Sequence, residues 1–274
     1  MSVSENETST IGLLRSFYRL RSFLATLTFR EILSRYRGSL LGLLWSLITP
    51  LAMITTYTLV FVYFFKNSWS PERPEPGYFV VMLFCGLLVF NFFSEVISKS
   101  PTLILSNPSY VKRISFPLQL LSAVEIGASL FQVLISLLIL FPGIFLMTGR
   151  IPATALYLPL VFLPLIIFTL GLSLFIASVG VFLRDLGHGV GVILNVLFFL
   201  TPIIYSAQRV PEHLQWFLWL NPIACAVLQT RRVCVYGFTP DMVVWTGQMI
   251  GSLLLLGLVS AWYTRISKRF ADVI

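Results

Sequence analysis

Two carboxylates stand inside long apolar stretches of this sequence: Glu95 near the end of one and Glu125 within the next. An ionisable group in hydrocarbon is costly unless it is paired or used, so such a residue is the minimum equipment for ion-coupled transport. Glu125 can couple a proton directly, pair with a basic neighbour or line a wet vestibule, whereas Glu95, closer to a boundary, is expected to snorkel to the interface. Other chemistry is missing from the pattern. There is no G-x-x-x-x-G-K-[ST] loop to cradle nucleotide phosphates and no H-E-x-x-H pair. His188 and His213 are too dispersed for an evident metal site, and Cys85, Cys225 and Cys234 form neither a disulfide framework nor metal-ligand spacing. Gly171-Leu172-Ser173 lacks the second glycine of a nucleophile elbow, which makes Ser173 a small packing residue. The chain is expected to catalyse nothing itself and to carry no cofactor or metal.

Aromatic residues offer a different chemistry. Tyr57, Phe61 and Phe64 follow i, i+4, i+7 spacing, and Phe198 and Tyr205 share a face further on. Such faces can stack on the CH face of a sugar ring while neighbouring hydroxyls exchange hydrogen bonds; the same spacing equally suits helix packing or contact with lipid.

The elements that would position these residues follow from composition. Of 274 residues, 57% are hydrophobic and 11% charged, with a mean hydropathy of +0.89. A soluble domain carries about 25% charged residues, so most of this exterior faces lipid and the protein is integral to a membrane. A spanning helix needs about 20 apolar residues, and six segments qualify: Leu40 to Phe65, Phe79 to Ile97, Phe116 to Met147, Thr154 to Phe182, Gly189 to Ser206 and Met242 to Tyr263. Placing both termini in the cytoplasm puts thirteen of the 19 Lys and Arg residues inside and six outside, among them Arg231 and Arg232. That asymmetry follows the positive-inside rule and explains the net charge of +8 without nucleic acid. The polar Met1 to Thr10 stretch precedes no apolar h-region, so a cleaved signal peptide is not expected. The fold expected is an all-α membrane protein of six spans, divided into a cytoplasmic segment 1–39 and a transmembrane domain 40–274.

Three segments between or before the spans stand out. Residues 11–37 place Leu13, Phe17, Leu20, Leu24 and Leu27 on one helical face and Arg15, Arg19 and Arg30 on the other, which predicts an amphipathic helix at the lipid surface, with Gly38 as a break before the first span. A partner-binding role is compatible with that anchor. In the loop 98–115, Asn107 can cap a short basic helix that begins at Pro108 and carries Lys112 and Arg113, although basic loops are common in membrane proteins. In 207–240, Trp216, Phe217 and Trp219 suit the interface and Asn221-Pro222 is a good helix start, which predicts two half-helices dipping into the outer leaflet or, alternatively, a surface loop. The short Arg184-Asp185-Leu186-Gly187-His188 stretch is a hairpin whose charges can pair locally.

Four motifs in this order resemble the permease subunits of type-2 ABC exporters, in particular the polysaccharide branch that moves O-antigen, capsule or teichoic acid, with Wzm-like O-antigen permeases nearest. They are R-E-I-L-S-R-Y-R-G-S-L-L-G-L-L-W from Arg30 to Trp45 leading to Pro50, S-N-P-S-Y-V-K-R-I-S-F-P from Ser106 to Pro117, F-L-R-D from Phe182 to Asp185, and L-N-P from Leu220 to Pro222 with Tyr236-Gly237. The resemblance implies a bacterial inner-membrane homodimer bound to two copies of a cognate ABC ATPase that holds the ATP and Mg. A lipid-linked polysaccharide, most plausibly O-antigen, would pass between the protomers. It further implies an interface helix carrying Arg15, Arg19, Arg30, Arg35 and Arg37; a coupling helix with Asn107, Pro108, Tyr110, Lys112 and Arg113; an ATPase-facing hairpin at Arg184 and Asp185; and outer gate helices around Trp216, Trp219, Asn221 and Pro222. The alternative is an ion-coupled carrier or channel using Glu125, which the lack of a visible inverted repeat weakens.

Overall fold

The computed structural model describes residues 19–66, 68–69, 75–111 and 117–267, with helices and irregular segments but no strand among them. The first helix, α1 (Arg21–Tyr36), ends before Gly38, whose φ of 82° turns the chain toward the first span. That span comprises a short turn at Gly42–Leu44, α2 (Trp45–Thr58) and a π-helical stretch Leu59–Phe64. Next comes α3 (Pro76–Lys99), opened by Pro76, whose missing N–H costs nothing at the first helical position. A loop bearing the four-residue α4 (Pro108–Val111) leads to α5 (Gln119–Thr148), closed by Gly149 in the left-handed region. Then follow α6 (Leu158–Gly180) and α7 (Leu186–Leu200). Two short helices, α8 (Gln215–Leu220) and α9 (Pro222–Arg231), precede α10 (Met242–Ile266).

Helix α3 is the centre of the bundle. It packs against α5, α6, α7 and α9, while α10 lies along α6. The apolar window of α3 is 78% buried, against 11% for the first span, so the first span is peripheral within one chain. Polar side chains in this interior are tied together: Ser173 is wholly buried and accepts from Ser100 at 2.8 Å while donating to Ser122 at 3.1 Å.

Among the described residues five helical stretches are long and apolar enough to cross a membrane, and the protein is a multi-pass membrane protein. The expected fifth span, Gly189 to Ser206, is shorter than the apolar run. Helix α7 has 15 residues, about 22 Å at 1.5 Å per residue, and stops at Leu200. Pro202 supplies the reason: it has no N–H for the ladder and pushes the residue before it out of the helical region, and Thr201 is extended at φ −91°, ψ 136°. The chain from Thr201 to Ile203 is nevertheless buried.

The two half-helices differ. Asn221 caps α9 as its sequence predicts, accepting from the N–H groups of Ile223 (3.0 Å) and Ala224 (3.3 Å), and α9 is buried against α3 rather than lying in a surface loop. Helix α8 stays at the surface, with Trp216 and Trp219 more than half exposed.

Candidate transport face and the ion clusters that frame it

The face is built on three helices. Besides its terminal Lys99, the polar positions along the second half of α3 are Asn91, Ser94, Glu95 and Ser98, which recur at helical spacing and so form one polar stripe. Together with Asn195 on α7 they line a cleft of about 550 Å³. Aromatic rings close its walls: Tyr57 stacks on Phe198 and on Phe61, each with ring centroids 6.1 Å apart, and Phe90 meets Phe198 edge to face at 5.2 Å. Hydroxyls and amides beside ring faces can exchange hydrogen bonds with a polyhydroxylated solute without holding it in one pose.

Of the five aromatic residues read from spacing, Tyr57 and Phe198 line the cleft, Phe61 stacks behind Tyr57, and two lie elsewhere. Phe64 is 70% exposed, because the wider π-helical turn at Leu59–Phe64 rotates it off the Tyr57–Phe61 face. Tyr205 lies beyond the end of α7, and its hydroxyl folds back onto the Phe199 carbonyl at 3.0 Å.

At one end of the bundle, five charged side chains form a cluster. Arg35 of α1 donates to Glu95 and, at 2.8 Å, to Glu125; Lys99 reaches Glu125 at 3.0 Å and Glu31 at 3.8 Å. Glu31 and Arg35 also keep their i, i+4 contact at 3.9 Å. Glu95 therefore does not snorkel to the interface; it ends in the guanidinium of α1. Glu125, nearly buried, is held by two cations, which is the paired alternative among those open to it and removes the free carboxylate that ion coupling would use. Burial and the neighbouring Glu125 charge push the Glu31 carboxyl above its usual range, offset in part by Lys99 and Arg35.

The cluster docks α1 on protein as well as beside lipid. Leu27 and Ile32 are buried where α1 packs along α5, so the stripe meets protein at Leu27, while Leu20 and Leu24 are half-buried. Arg30 donates to the Tyr110 hydroxyl and stacks over its ring, linking α1 to α4. Asn107 donates back to the Leu103 carbonyl at 2.9 Å, and Leu103 and Ile104 sit in a small apolar cluster with Leu121, Ala177, Val181 and Tyr263. The α4 loop is thus anchored to the ends of α5, α6 and α10. Arg19 and Arg37 are exposed on either side of α1, and Pro108 opens α4. Arg184 and Asp185 are exposed in the α6–α7 hairpin, where the local ion pair between them is not formed. Arg15, Lys112 and Arg113 lie outside the described residues.

At the opposite end stands a residue that charge counting assigns to an outer loop. Arg231 is 1% exposed. Its guanidinium donates to the carbonyls of Met82 (3.0 Å), Pro202 (2.6 Å) and Ile203 (2.8 Å) and lies 4.3 Å from the centroid of the Trp69 ring. The backbone freed where α7 breaks at Pro202 thus finds its donor, as non-helical chain at membrane depth requires. Gly86 makes the room: a Cβ there would stand 3.0 Å from the guanidinium and 3.1 Å from the Ile203 backbone. The three cysteines are free and buried.

The bundle thus combines a polar and aromatic cleft, an ion-tied helix at one end and a broken helix strapped at the other. Residues 23–233 match the ABC-2 type transporter family, and the chain belongs to it. Among curated relatives it is similar to O-antigen export system permease protein RfbA of Myxococcus xanthus, 30% identical over 268 residues that cover 96% of this chain and 100% of the relative. It is also similar to the Klebsiella pneumoniae protein of that name (26% over 257 residues; 93% and 96% covered) and to the capsule polysaccharide export inner-membrane protein CtrC of Neisseria meningitidis (25% over 263 residues; 93% and 95%).

Proposed function

We propose that this chain is the permease subunit of an ATP-driven exporter that carries a lipid-linked polysaccharide of the O-antigen class across the bacterial inner membrane. The observation that carries this reading is the end-to-end similarity to O-antigen export permeases, with no part of the longest match left over on the relative's side. Two copies would face each other across the clefts between the first span and α7, the surfaces least covered within one chain. Tyr57, Phe61 and Phe198 would line the conduit with the polar stripe of α3. Both termini would lie in the cytoplasm, with α1, the 98–115 loop and the Arg184-Asp185 hairpin turned toward a separate ABC ATPase that binds ATP and Mg.

In this mechanism closure of the ATPase pair pushes on the α4 loop and α1. The Arg30–Tyr110 contact makes those two elements move together, and Arg35 passes the displacement to α3 and α5 through Glu95 and Glu125. The permease supplies the path and the lever, and no bond in the glycan changes. Around α8 and α9, Trp216 and Trp219 would sit in the outer headgroups while Asn221 and Pro222 hold the gate helix in register.

Deleting the gene and following the surface glycan by staining fractionated cells tests the reading. Loss of surface polymer with accumulation of lipid-linked polymer inside is expected, together with recovery of an ABC ATPase with the tagged permease. Unchanged surface polymer with no internal accumulation would overturn it.

A further inference from the structure

We propose that the cavity lined by α2, α3 and α5, which adjoins the conduit cleft and shares Met53, Asn91, Ser94 and Glu95 with it, is a binding site for a single neutral sugar residue. The proposal rests on the polysaccharide reading above and adds to it a second place at which the cargo is held.

The cavity measures about 350 Å³, at the small end of the range for ligand pockets, and so suits one ring rather than a stretch of polymer. Ser129 is the first sign that it is built for an occupant. Its residue is 0% exposed, yet its hydroxyl has no hydrogen-bond partner. A serine within a helix ordinarily turns its hydroxyl onto the carbonyl four residues back, as Ser136 does to Gln132 at 2.9 Å. Ser129 leaves both a donor and an acceptor unpaired among the residues that line the cavity, which is expensive in a dry interior. Gln132 beside it is held rigidly, donating to the Ser46 carbonyl at 2.6 Å and accepting from the Tyr36 hydroxyl at 3.3 Å.

The chemistry of the lining selects the occupant. It contains hydroxyls, amides, the Glu95 carboxylate and the flat faces of Tyr36 and Trp45, but no lysine, arginine or histidine. Glu95 is the only charged group on the wall and its cation, Arg35, is already engaged, so a lipid phosphate or the diphosphate link of a carrier finds no free cation there and is disfavoured against a neutral ring. A ring with several hydroxyls and one apolar face satisfies the wall: hydroxyls to Ser129 and Glu95, the CH face to an aromatic ring. Glu95 also lines the conduit cleft and accepts from Arg35. A sugar hydroxyl bound to that carboxylate therefore touches the cluster that ties α1 to the bundle, and the site senses cargo as well as holding it.

The test uses the full-length chain with its co-purifying ATPase in phosphatidylethanolamine–phosphatidylglycerol nanodiscs and a photoreactive octyl glucoside carrying a diazirine on the sugar ring, with adducts mapped by mass spectrometry. Labelling is expected on the Ser129–Ser136 segment and on Trp45. It should fall with excess octyl glucoside and not with dodecylphosphocholine. Ser129→Ala removes one neutral hydrogen bond and should weaken labelling about fivefold; Ser129→Leu, which fills the cavity, should abolish it, while Asn195→Leu in the conduit cleft should leave it unchanged. Absence of labelling would reduce the cavity to a water pocket, and equal competition by dodecylphosphocholine would reduce it to a crevice for any amphiphile; either overturns the proposal. Membranes from cells that make the glycan should label less than membranes from cells that do not, and equal labelling in the two would show that the cargo does not use the site. Those results leave the export reading standing, because it is decided by where the glycan goes when the gene is deleted.

Discussion

Replacing Arg231 by lysine separates the geometry of the guanidinium from its charge. Three carbonyl oxygens, Met82, Pro202 and Ile203, receive its N–H groups, and Trp69 covers its face. An ammonium keeps the buried charge but, as a point donor on an unforked stem, holds one of these acceptors well and loses the stacked face. Hydrogen bonds inside membrane proteins average about 0.6 kcal/mol and reach about 1.7, so about 1 kcal/mol is a fair value for each of two charge-assisted bonds lost. Adding about 1 kcal/mol for weakened stacking, Arg231→Lys destabilises by about 3 kcal/mol, which for a chain of this size lowers Tm by roughly 6–12 °C. Arg231→Met loses all three bonds and the ring contact and leaves the buried Pro202 and Ile203 carbonyls without that donor, so it is expected to melt below the lysine variant. Thermal unfolding of the purified protein in one detergent, read by intrinsic tryptophan fluorescence, measures both. A lysine variant within about 2 °C of the parent, or a methionine variant equally close to it, would refute the view that directional bonds to the broken backbone hold this end together.

Other expectations concern the opposite end and the conduit. The Glu31 carboxyl is raised above 4.5, so the folded state favours its protonated form; its contribution to α1 docking is full below 4.5 and is lost as pH rises through the elevated value. Hydrogen exchange of α1 should increase across that window, and Glu31→Gln should flatten the profile; an identical profile in the variant would exclude Glu31 as its source. Lys112→Glu with Arg113→Glu should stop export while leaving membrane insertion intact, and retained export would remove these two residues from the coupling role. Tyr57→Ala with Phe198→Ala should change polymer throughput at constant protein abundance, and unchanged throughput would return the rings to packing.

Much of this arrangement is legible along the chain because it is local. The proline at the head of α3, the Asn221-Pro222 start of α9 and the long apolar runs each depend on a few adjacent residues. The stripe Asn91, Ser94, Glu95 and Ser98 is legible too, since polar residues at helical spacing in an apolar span must share a face, but reading Glu95 alone hides it. Pro202 marks the end of α7, yet the surrounding run stays apolar and so resembles a continuous span. The ion cluster and the Arg231 strap are illegible for a different reason: Arg35 meets Glu125 across 90 residues and Arg231 meets Met82 across 149, and no periodicity carries such a pairing. Beside Arg232, Arg231 reads as one of two loop charges; only the buried fold around Gly86 distinguishes them.

The strap also imposes an order on biosynthesis. Met82 leaves the ribosome 149 residues before Arg231, an interval of about 7–30 s at 5–20 residues per second. Throughout that interval the pocket beside Gly86 has no guanidinium, and once Pro202 and Ile203 arrive their carbonyls wait as well. The central helix of the bundle is therefore among the first parts made and among the last to be sealed. A chain stalled between residues 203 and 231 leaves the Pro202 and Ile203 carbonyls without that donor at its own core.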